Sequence, residues 1–317
     1  MADIGQDLGR AKDILERGGL VAIPTETVYG LAANGLNSEA VAKIFEAKQR
    51  PSFDPLILHT SSLDRVNNIV DNIPDKANDL ASAFWPGPLT MVMNKQENVP
   101  DLVTSGLASV AVRVPNHDFT KALLESIDFP LAAPSANPFG YISPVTAEHV
   151  NQQLGGRIDY ILDGGPCTVG LESTIVSFVN DPTVLRLGGL SLERIKNVIP
   201  SIKVNTHSSS KPTAPGMLES HYAPKKTIEL KDQFDSNSIV DFFQIGALVF
   251  QHYLEDIPHE NQYLLSVNGD LNEAAQRLFT GLRTLDANPN IETIITELVP
   301  EEGLGRAIND RIKRATA

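Results

Sequence analysis

The chain has 317 residues and a mass of 34.4 kDa, with 42% hydrophobic and 21% charged residues, too long for one ordinary domain and too apolar for disorder, so two domains are expected. Lys and Arg number 26 against 39 Asp and Glu, a net charge of −13 that divides into −7 before residue 205 and −6 after it, which excludes a broad basic footprint for nucleic acid. The single cysteine, Cys167, excludes an intramolecular disulfide or a cysteine-rich zinc site and fits a reducing cytosol, while Met1 to Arg10 lacks the apolar core of a signal peptide and no window approaches the roughly 18 apolar residues of a membrane helix. A soluble, cytoplasmic protein is expected.

Ile4 to Arg17 reads as an opening helix, and Leu20 to Ile23 as a buried strand that runs directly into the loop Pro24-Thr25-Glu26-Thr27-Val28-Tyr29-Gly30. Ser38 before Glu39, with Val41, Ile44 and Phe45 at helical spacing, predicts a helix that Pro51 ends near Lys48 or Gln49, because the residue before proline avoids the helical region. A strand is expected at Leu56 to His59. Further strands follow at Leu89 to Met93, Val110 to Val114, Pro130 to Ala133, Tyr160 to Leu162, Thr174 to Val179 and Val184 to Leu187, with helices near 75–84, 117–127, 146–154 and 191–198. The irregular alternation predicts an α/β fold with a mixed twisted sheet and flanking helices.

Asn205 to Gly216 crowds serines, prolines, a histidine and a glycine together with almost nothing apolar, which marks a linker. Beyond it, strands at Thr227 to Leu230, Ala247 to Phe250, Tyr263 to Val267 and Glu292 to Leu298, with helices near 236–243, 272–286 and 304–315, have the rhythm of a small Rossmann-like layer.

The common phosphate-binding glycine motifs are missing, so any phosphates must be held by side chains. Lys48 and Arg50 stand where a helix ends and the chain turns, able to project into a cleft or simply to neutralise the helix carboxyl end. Pro134-Ser135-Ala136-Asn137-Pro138 and Glu172-Ser173-Thr174 place small polar groups at strand edges, where they suit either ligand contacts or turns. Arg113, between Val112 and Val114, faces opposite to those valines and could clamp a carboxylate or pair with an acid; Arg186, between Leu185 and Leu187, raises the same question, and Gly188 and Gly189 keep the following turn open. His59 ends an apolar strand, as a structural histidine or a ligand contact. No His-Glu-x-x-His pair or Gly-x-Ser-x-Gly elbow occurs.

Taken in order, Pro24-Thr25-Glu26-Thr27-Val28-Tyr29-Gly30-Leu31, Lys48-x-Arg50-Pro51, Asp54-Pro55-Leu56-Ile57-Leu58-His59 and Trp85-Pro86-Gly87-Pro88-Leu89-Thr90 resemble the YrdC/Sua5 family of threonylcarbamoyl-AMP synthases. The resemblance continues through Val110-Ala111-Val112-Arg113-Val114-Pro115, Ala133-Pro134-Ser135-Ala136-Asn137, Ser143-Pro144, Glu172-Ser173-Thr174 and Leu185-Arg186. Ala214-Pro215-Gly216-Met217 with Ser220-His221-Tyr222-Ala223-Pro224 resembles the interdomain linker, and Glu302 to Arg311 the end of the smaller Sua5 domain, which favours the two-domain form. Asp54 stands where the family often has asparagine, Val145 where threonine is frequent, and Leu218-Glu219 where a basic-aromatic pair is common.

The resemblance implies a YrdC-like sheet around a large cavity over 1–204, a linker or lid over 205–225 and a Rossmann-like Sua5 domain over 226–317. It implies a nucleotidyltransferase that condenses L-threonine, bicarbonate and ATP to threonylcarbamoyl-AMP and pyrophosphate, for modification of position 37 of tRNAs. Carried over residue by residue, Lys48, Arg50, Ser109, Ser135, Asn137, Ser143, Arg186 and Tyr222 would bind ATP, and Thr25, His59, Arg113 and Ser173 would bind threonine, with no nucleophile or general base assigned. Mg²⁺ would come with ATP, held by phosphates and water and not by the protein. A downstream threonylcarbamoyl transferase complex would take the product; no stable tRNA binding and no membrane contact are expected. An RNA-binding module and a non-catalytic scaffold of the tRNA-modification machinery are the rival readings, and both lack a need for threonine-dependent and bicarbonate-dependent pyrophosphate release.

Overall fold

A computed structural model describes residues 1–206, 222–234 and 242–317. Eleven strands form one mixed sheet: β1 (Asp3–Gly5), β2 (Val21–Ile23), β3 (Gly30–Asn34), β4 (Ile57–His59), β5 (Leu89–Asn94), β6 (Ser109–Arg113), β7 (Leu131–Ala132), β8 (Tyr160–Leu162), β9 (Thr174–Ser177), β10 (Thr183–Arg186) and β11 (Lys203–Val204), in the order β1-β8-β2-β3-β7-β4-β6-β5-β9-β10-β11. Four more, β12 (Thr227–Leu230), β13 (Ile245–Val249), β14 (Gln262–Leu264) and β15 (Thr293–Thr296), make an all-parallel sheet in the order β12-β15-β13-β14. Parallel strands need long crossovers, and the helix Leu271–Ala287 supplies one between β14 and β15.

Two stretches depart from the sequence expectation. The opening helix is shorter than Ile4 to Arg17: Asp3–Gly5 pairs with β8 in parallel, and Asp7 caps a helix over Leu8–Glu16 by accepting from the Arg10 N–H at 3.0 Å. Gly30–Asn34, which the sequence suggests only as the end of a loop, is strand β3, antiparallel to β2. The cap of the second helix also falls one residue early, on Asn37, whose side chain accepts from Glu39 and Ala40. Residues 207–221 and 235–241, which carry most of the expected linker and helix 236–243, lie outside the described residues.

Alternation along the central strands separates the sheet into two faces. Leu58, Met91, Val112, Val176 and Val184 turn to one face and enter the main core. On the opposite face, register sets His59 beside Arg113, Arg113 beside Thr90 and Thr90 beside Ile175; Ile57, Ala111 and Val92 form the next row. The strands thus present a polar row and an apolar floor on that face.

The main core runs without a break into the second domain, where Ala274, Ala275, Leu278, Phe279 and Leu282 join it from the helix Leu271–Ala287. Polar ties cross the same boundary: the Tyr141 hydroxyl donates to Asp286 at 2.5 Å, and Arg283 donates to the carbonyls of Ile142 and Ser143 and to Gln153. Gly170 lets the backbones approach closely. It adopts φ +78°, and a Cβ there would come within 2.4 Å of the Gln276 Cα, so any side chain would push the domains apart.

Candidate active site

The polar row opens into a cavity lined by both polar and apolar side chains. Its wall contains all four residues expected to bind threonine, Thr25, His59, Arg113 and Ser173, together with Arg50, Ser135, Arg186 and Tyr222 of the expected ATP set. Lys48, Ser109, Asn137 and Ser143 are not on that wall.

Arg113 ends β6 with its guanidinium in the cavity wall, 2.7 Å from Glu26 Oε2, and its Nε donates to the Gly87 carbonyl at 3.2 Å. Both partners are nearly buried, so the pair is weakly screened and fixes the arginine in place. His59 stands beside it in register, and its Nδ1 has no hydrogen-bond partner. Burial, and then the charge of Arg113, push the His59 pKa down to about 3, so at neutral pH the ring is uncharged. Thr25 closes its own loop: its hydroxyl donates to the Val28 carbonyl at 2.6 Å and accepts from the Thr27 and Val28 N–H groups. Ser173 shares a 2.7 Å bond with the Thr90 hydroxyl and accepts from Arg186, which also binds the Ser173 carbonyl through Nε and Nη2.

Lys48 and Arg50, only two residues apart, go separate ways. Gln49 takes a left-handed φ of 53° and the Arg50 N–H returns to the Phe45 carbonyl, a turn that ends the helix Ser38–Lys48. Arg50 reaches the cavity wall, held by Asp54 at 2.8 Å and by the carbonyls of Asp54 and Pro55. Lys48 is fully buried, and its ammonium donates to the carbonyls of Ser135 (2.5 Å) and Asn137. Burial, with Arg50 adding to it, holds the lysine well below its usual pKa. In this conformation the side chain ties down the loop that presents Ser135.

Asn137 and Ser143 are likewise internal supports. The Asn137 amide donates to the carbonyls of Pro138 and Tyr141, and the Ser143 hydroxyl donates to Glu172 at 2.5 Å. Ser109 opens β6 on the same face as Ala111 and Arg113, four residues from the arginine and beyond the end of the cavity. Tyr222 is buried with φ +69°, uncommon for an aromatic residue, and stacks on Phe279 of the second domain at 5.6 Å. Its sequence neighbour His221 lies outside the described residues.

The sequence expectations omitted three contributors. Glu26 anchors Arg113, Thr90 bonds Ser173, and Glu172 joins the cavity wall while accepting from Ser143 and from Arg311 of the second domain. Strand alternation could have found Thr90, two residues before Val92 on the same face. Nothing local marks Arg311. Gly188 shapes this corner by allowing contact, not by opening a turn: a Cβ there would meet the Glu172 carbonyl at 2.2 Å.

Among the described residues no group of three or more His, Cys, Asp or Glu could hold a metal, and no helix is long and apolar enough to cross a membrane.

Comparison with known proteins gives the geometry its context. The Sua5/YciO/YrdC family, described as telomere recombination, matches residues 13–188, and the family described as threonylcarbamoyl-AMP synthase, C-terminal domain, matches residues 190–317. A threonylcarbamoyl-AMP synthase of Pyrococcus abyssi is 40% identical over 96% of this chain and 93% of its own. One from Bacillus subtilis is 39% identical over 97% and 92%. The crystal structure of P. abyssi Sua5 complexed with L-threonine superposes with a TM-score of 0.90 at 37% identity, covering 100% of this chain and 97% of that one.

Proposed function

The chain belongs to the threonylcarbamoyl-AMP synthase family in its two-domain form, and on that premise we propose how its cavity makes threonylcarbamoyl-AMP from L-threonine, bicarbonate and ATP. The observation that carries the reading is that one cavity gathers the cations Arg50, Arg113 and Arg186 with the neutral His59 ring and small hydroxyls. Three fixed positive charges suit an amino-acid carboxylate and a polyphosphate together, since arginine binds both in fork geometry.

Arg113 would take the threonine carboxylate, and its contacts to Glu26 and Gly87 set its angle before threonine arrives. The uncharged His59 would hydrogen-bond the threonine hydroxyl, as a neutral imidazole has one N–H to donate and one bare nitrogen to accept. The P. abyssi structure with L-threonine supports a threonine site in this fold. Bicarbonate and the threonine amine first give N-carboxythreonine and water. A carboxylate oxygen of that carbamate then attacks the α-phosphorus of ATP, the bond to the β-phosphate oxygen breaks, and pyrophosphate leaves. Arg50 and Arg186 would offset charge on the phosphates, so catalysis rests on alignment and electrostatics, without a covalent nucleophile.

Mg²⁺ would enter as the ATP complex and offset phosphate charge. Glu172 is the sole carboxylate on the cavity wall among the described residues and already accepts from Ser143 and Arg311, so the donor set fits a cation held by phosphates and water. The product would pass to a threonylcarbamoyl transferase complex that modifies position 37 of tRNAs. The test is pyrophosphate release from ATP by purified protein: it is expected only when L-threonine and bicarbonate are both supplied, and equal release with either omitted would overturn the reading.

A further inference from the structure

The second domain does more than pack against the first, because one of its side chains enters the support of the cavity wall. Arg311, on the helix Gly305–Ala315, is completely buried. Its Nε donates to Glu172 Oε2 at 3.1 Å, its Nη1 donates to the Leu187 carbonyl at 2.8 Å and to Asp310 at 2.7 Å, and its guanidinium carbon lies 5.2 Å from the centre of the Tyr222 ring. Glu172 and Tyr222 are both cavity-wall residues, and Leu187 directly follows the cavity-wall Arg186. One guanidinium therefore touches Glu172, Tyr222 and the backbone that follows Arg186, from a helix far along the chain from all three.

We propose that Arg311 is a positioning residue of the active site, which fixes the Glu172 carboxylate, the Tyr222 ring and the backbone after Arg186, and so sets the affinity for ATP from the second domain. The inference rests on the assignment of Arg186 and Tyr222 to the nucleotide given above. A planar guanidinium is suited to this task because it can hold a carboxylate, a carbonyl and an aromatic face at once, whereas an ammonium acts as a single point charge.

The groups facing Glu172 make the consequence of losing Arg311 specific. From the second domain they are Arg311, with Asp310 and Arg314 behind it; from the first, Arg186 and the Ser143 hydroxyl; and Tyr222 lies between. Burial alone would raise the Glu172 carboxyl, but Arg311, Arg186 and Ser143 together hold it below its ordinary value. With the arginine gone, the buried carboxyl loses the largest of the contacts that hold it down, and burial shifts its titration upward.

The experiment compares Arg311→Met, which preserves the apolar stem, with Arg311→Lys and with Glu172→Gln in both wild-type and Arg311→Met backgrounds. Thermal melts, ATP binding by calorimetry and the pH profile of pyrophosphate release are measured on full-length protein. In Arg311→Met the dissociation constant for ATP is expected to rise at least tenfold with the threonine KM within twofold. Its activity is expected to gain an acidic limb that wild type lacks, which Glu172→Gln in the same background removes, and Arg311→Lys is expected to fall between wild type and Arg311→Met. Wild-type ATP affinity and pH profile in a folded Arg311→Met would overturn the proposal, as would a lower melting temperature with no selective loss of ATP affinity. If Arg311→Met does not fold, Arg311→Lys and Glu172→Gln decide: the same selective weakening of ATP in both supports the positioning role, and unchanged ATP affinity in both overturns it. Absence of threonine-dependent pyrophosphate release from wild type would instead strike at the functional reading, since the calorimetric ATP comparison does not depend on turnover.

Discussion

The two walls of the cavity are built by different means. On the threonine side, His59, Arg113 and Thr90 stand in one row of a continuous sheet, set beside each other by strand register. On the other side, Glu172, Arg186 and Tyr222 converge from a strand edge and the segment that leads into the second domain, and Arg311 and Phe279 brace them from helices much later in the chain. The first wall is an outcome of local alternation, whereas the second is completed by side chains of the second domain. The first wall should therefore respond to mutation as a single rigid unit, and the second as a contact between domains.

The largest expected effect lies on the first wall. Arg113→Ala removes the partner of a buried carboxylate and leaves Glu26 uncompensated, a change that typically costs about 3–5 kcal/mol. It should lower the melting temperature markedly and raise the threonine KM by about 10- to 100-fold, the scale of a lost charged hydrogen bond. The double variant Arg113→Met with Glu26→Gln should regain most of the stability but none of the threonine affinity, because the buried charge is gone while the clamp is still missing. If the double variant instead regains threonine affinity, Arg113 serves only to neutralise Glu26.

Lys48 and Arg50 sharpen the comparison at the next scale down. The sequence treats them as a matched pair of phosphate cations, but only Arg50 lines the cavity. Arg50→Ala should weaken ATP use selectively. Lys48→Met should cost about 2–3 kcal/mol of stability, as two carbonyls lose a charged donor, and should disturb ATP through displacement of Ser135. Chemical denaturation together with separate ATP and threonine titrations distinguishes the two; a Lys48→Met protein of wild-type stability with a large ATP defect would show that the ammonium leaves the loop to hold phosphate.

Those two residues also show what could be read from sequence. Helix 38–48 and the strand containing His59 follow from apolar spacing and a proline, so the position of Lys48, Arg50, His59 and Arg113 in the chain was legible. The direction of Lys48 was not, because it is decided by which carbonyls of a loop almost 90 residues later come to lie beside it. β3 was missed because Gly30-Leu31-Ala32-Ala33-Asn34 has weak strand propensity and is held there by pairing with β2 and β7. β1 escaped notice for the same reason, since three residues become a strand only when β8 is alongside. Arg311 sits in a stretch whose family resemblance suggested a domain and gave no role to any side chain.

A smaller effect concerns pH. The His59 ring takes its proton only near pH 3 in the folded chain but near 6.5 when unfolded, so between those values the unfolded form binds more protons and stability falls as pH drops. His149, lowered to about 4 by burial and by Arg283, adds to the same trend. Glu172 works in a lower window: its depressed folded value stabilises the chain above the ordinary carboxylate range, and that contribution fades as pH falls through the folded value. His59→Gln should therefore flatten the loss of stability between pH 6.5 and 5 by about 1–2 kcal/mol, and the slope should stay shallower than wild type as pH falls further toward 3. Equal slopes in urea denaturation of wild type and variant over that interval would show that His59 is protonated in the folded protein.

The smallest expected effect falls on Ser109, and it measures how far the ligand extends. Ile57, Ala111, Val92, Ile175 and Leu185 form a buried apolar patch on the cavity face of the sheet, a surface on which a flat, weakly polar ring could rest. Ser109 stands at the far end of that patch, two residues beyond Ala111, and at about 3.3 Å per residue it is about 13 Å along β6 from Arg113. If threonine occupies the Arg113 end, a serine at that distance can touch only the nucleotide. Loss of one neutral hydrogen bond is worth about 0.5–1.5 kcal/mol, so Ser109→Ala should raise the ATP KM by about 2- to 10-fold, with stability and threonine KM unmoved. An unchanged ATP KM would place the nucleotide wholly on the side of Arg50, Arg186 and Tyr222. A rise in the threonine KM in its place would reverse the orientation of the two substrates along β6, and with it the assignment of the two walls.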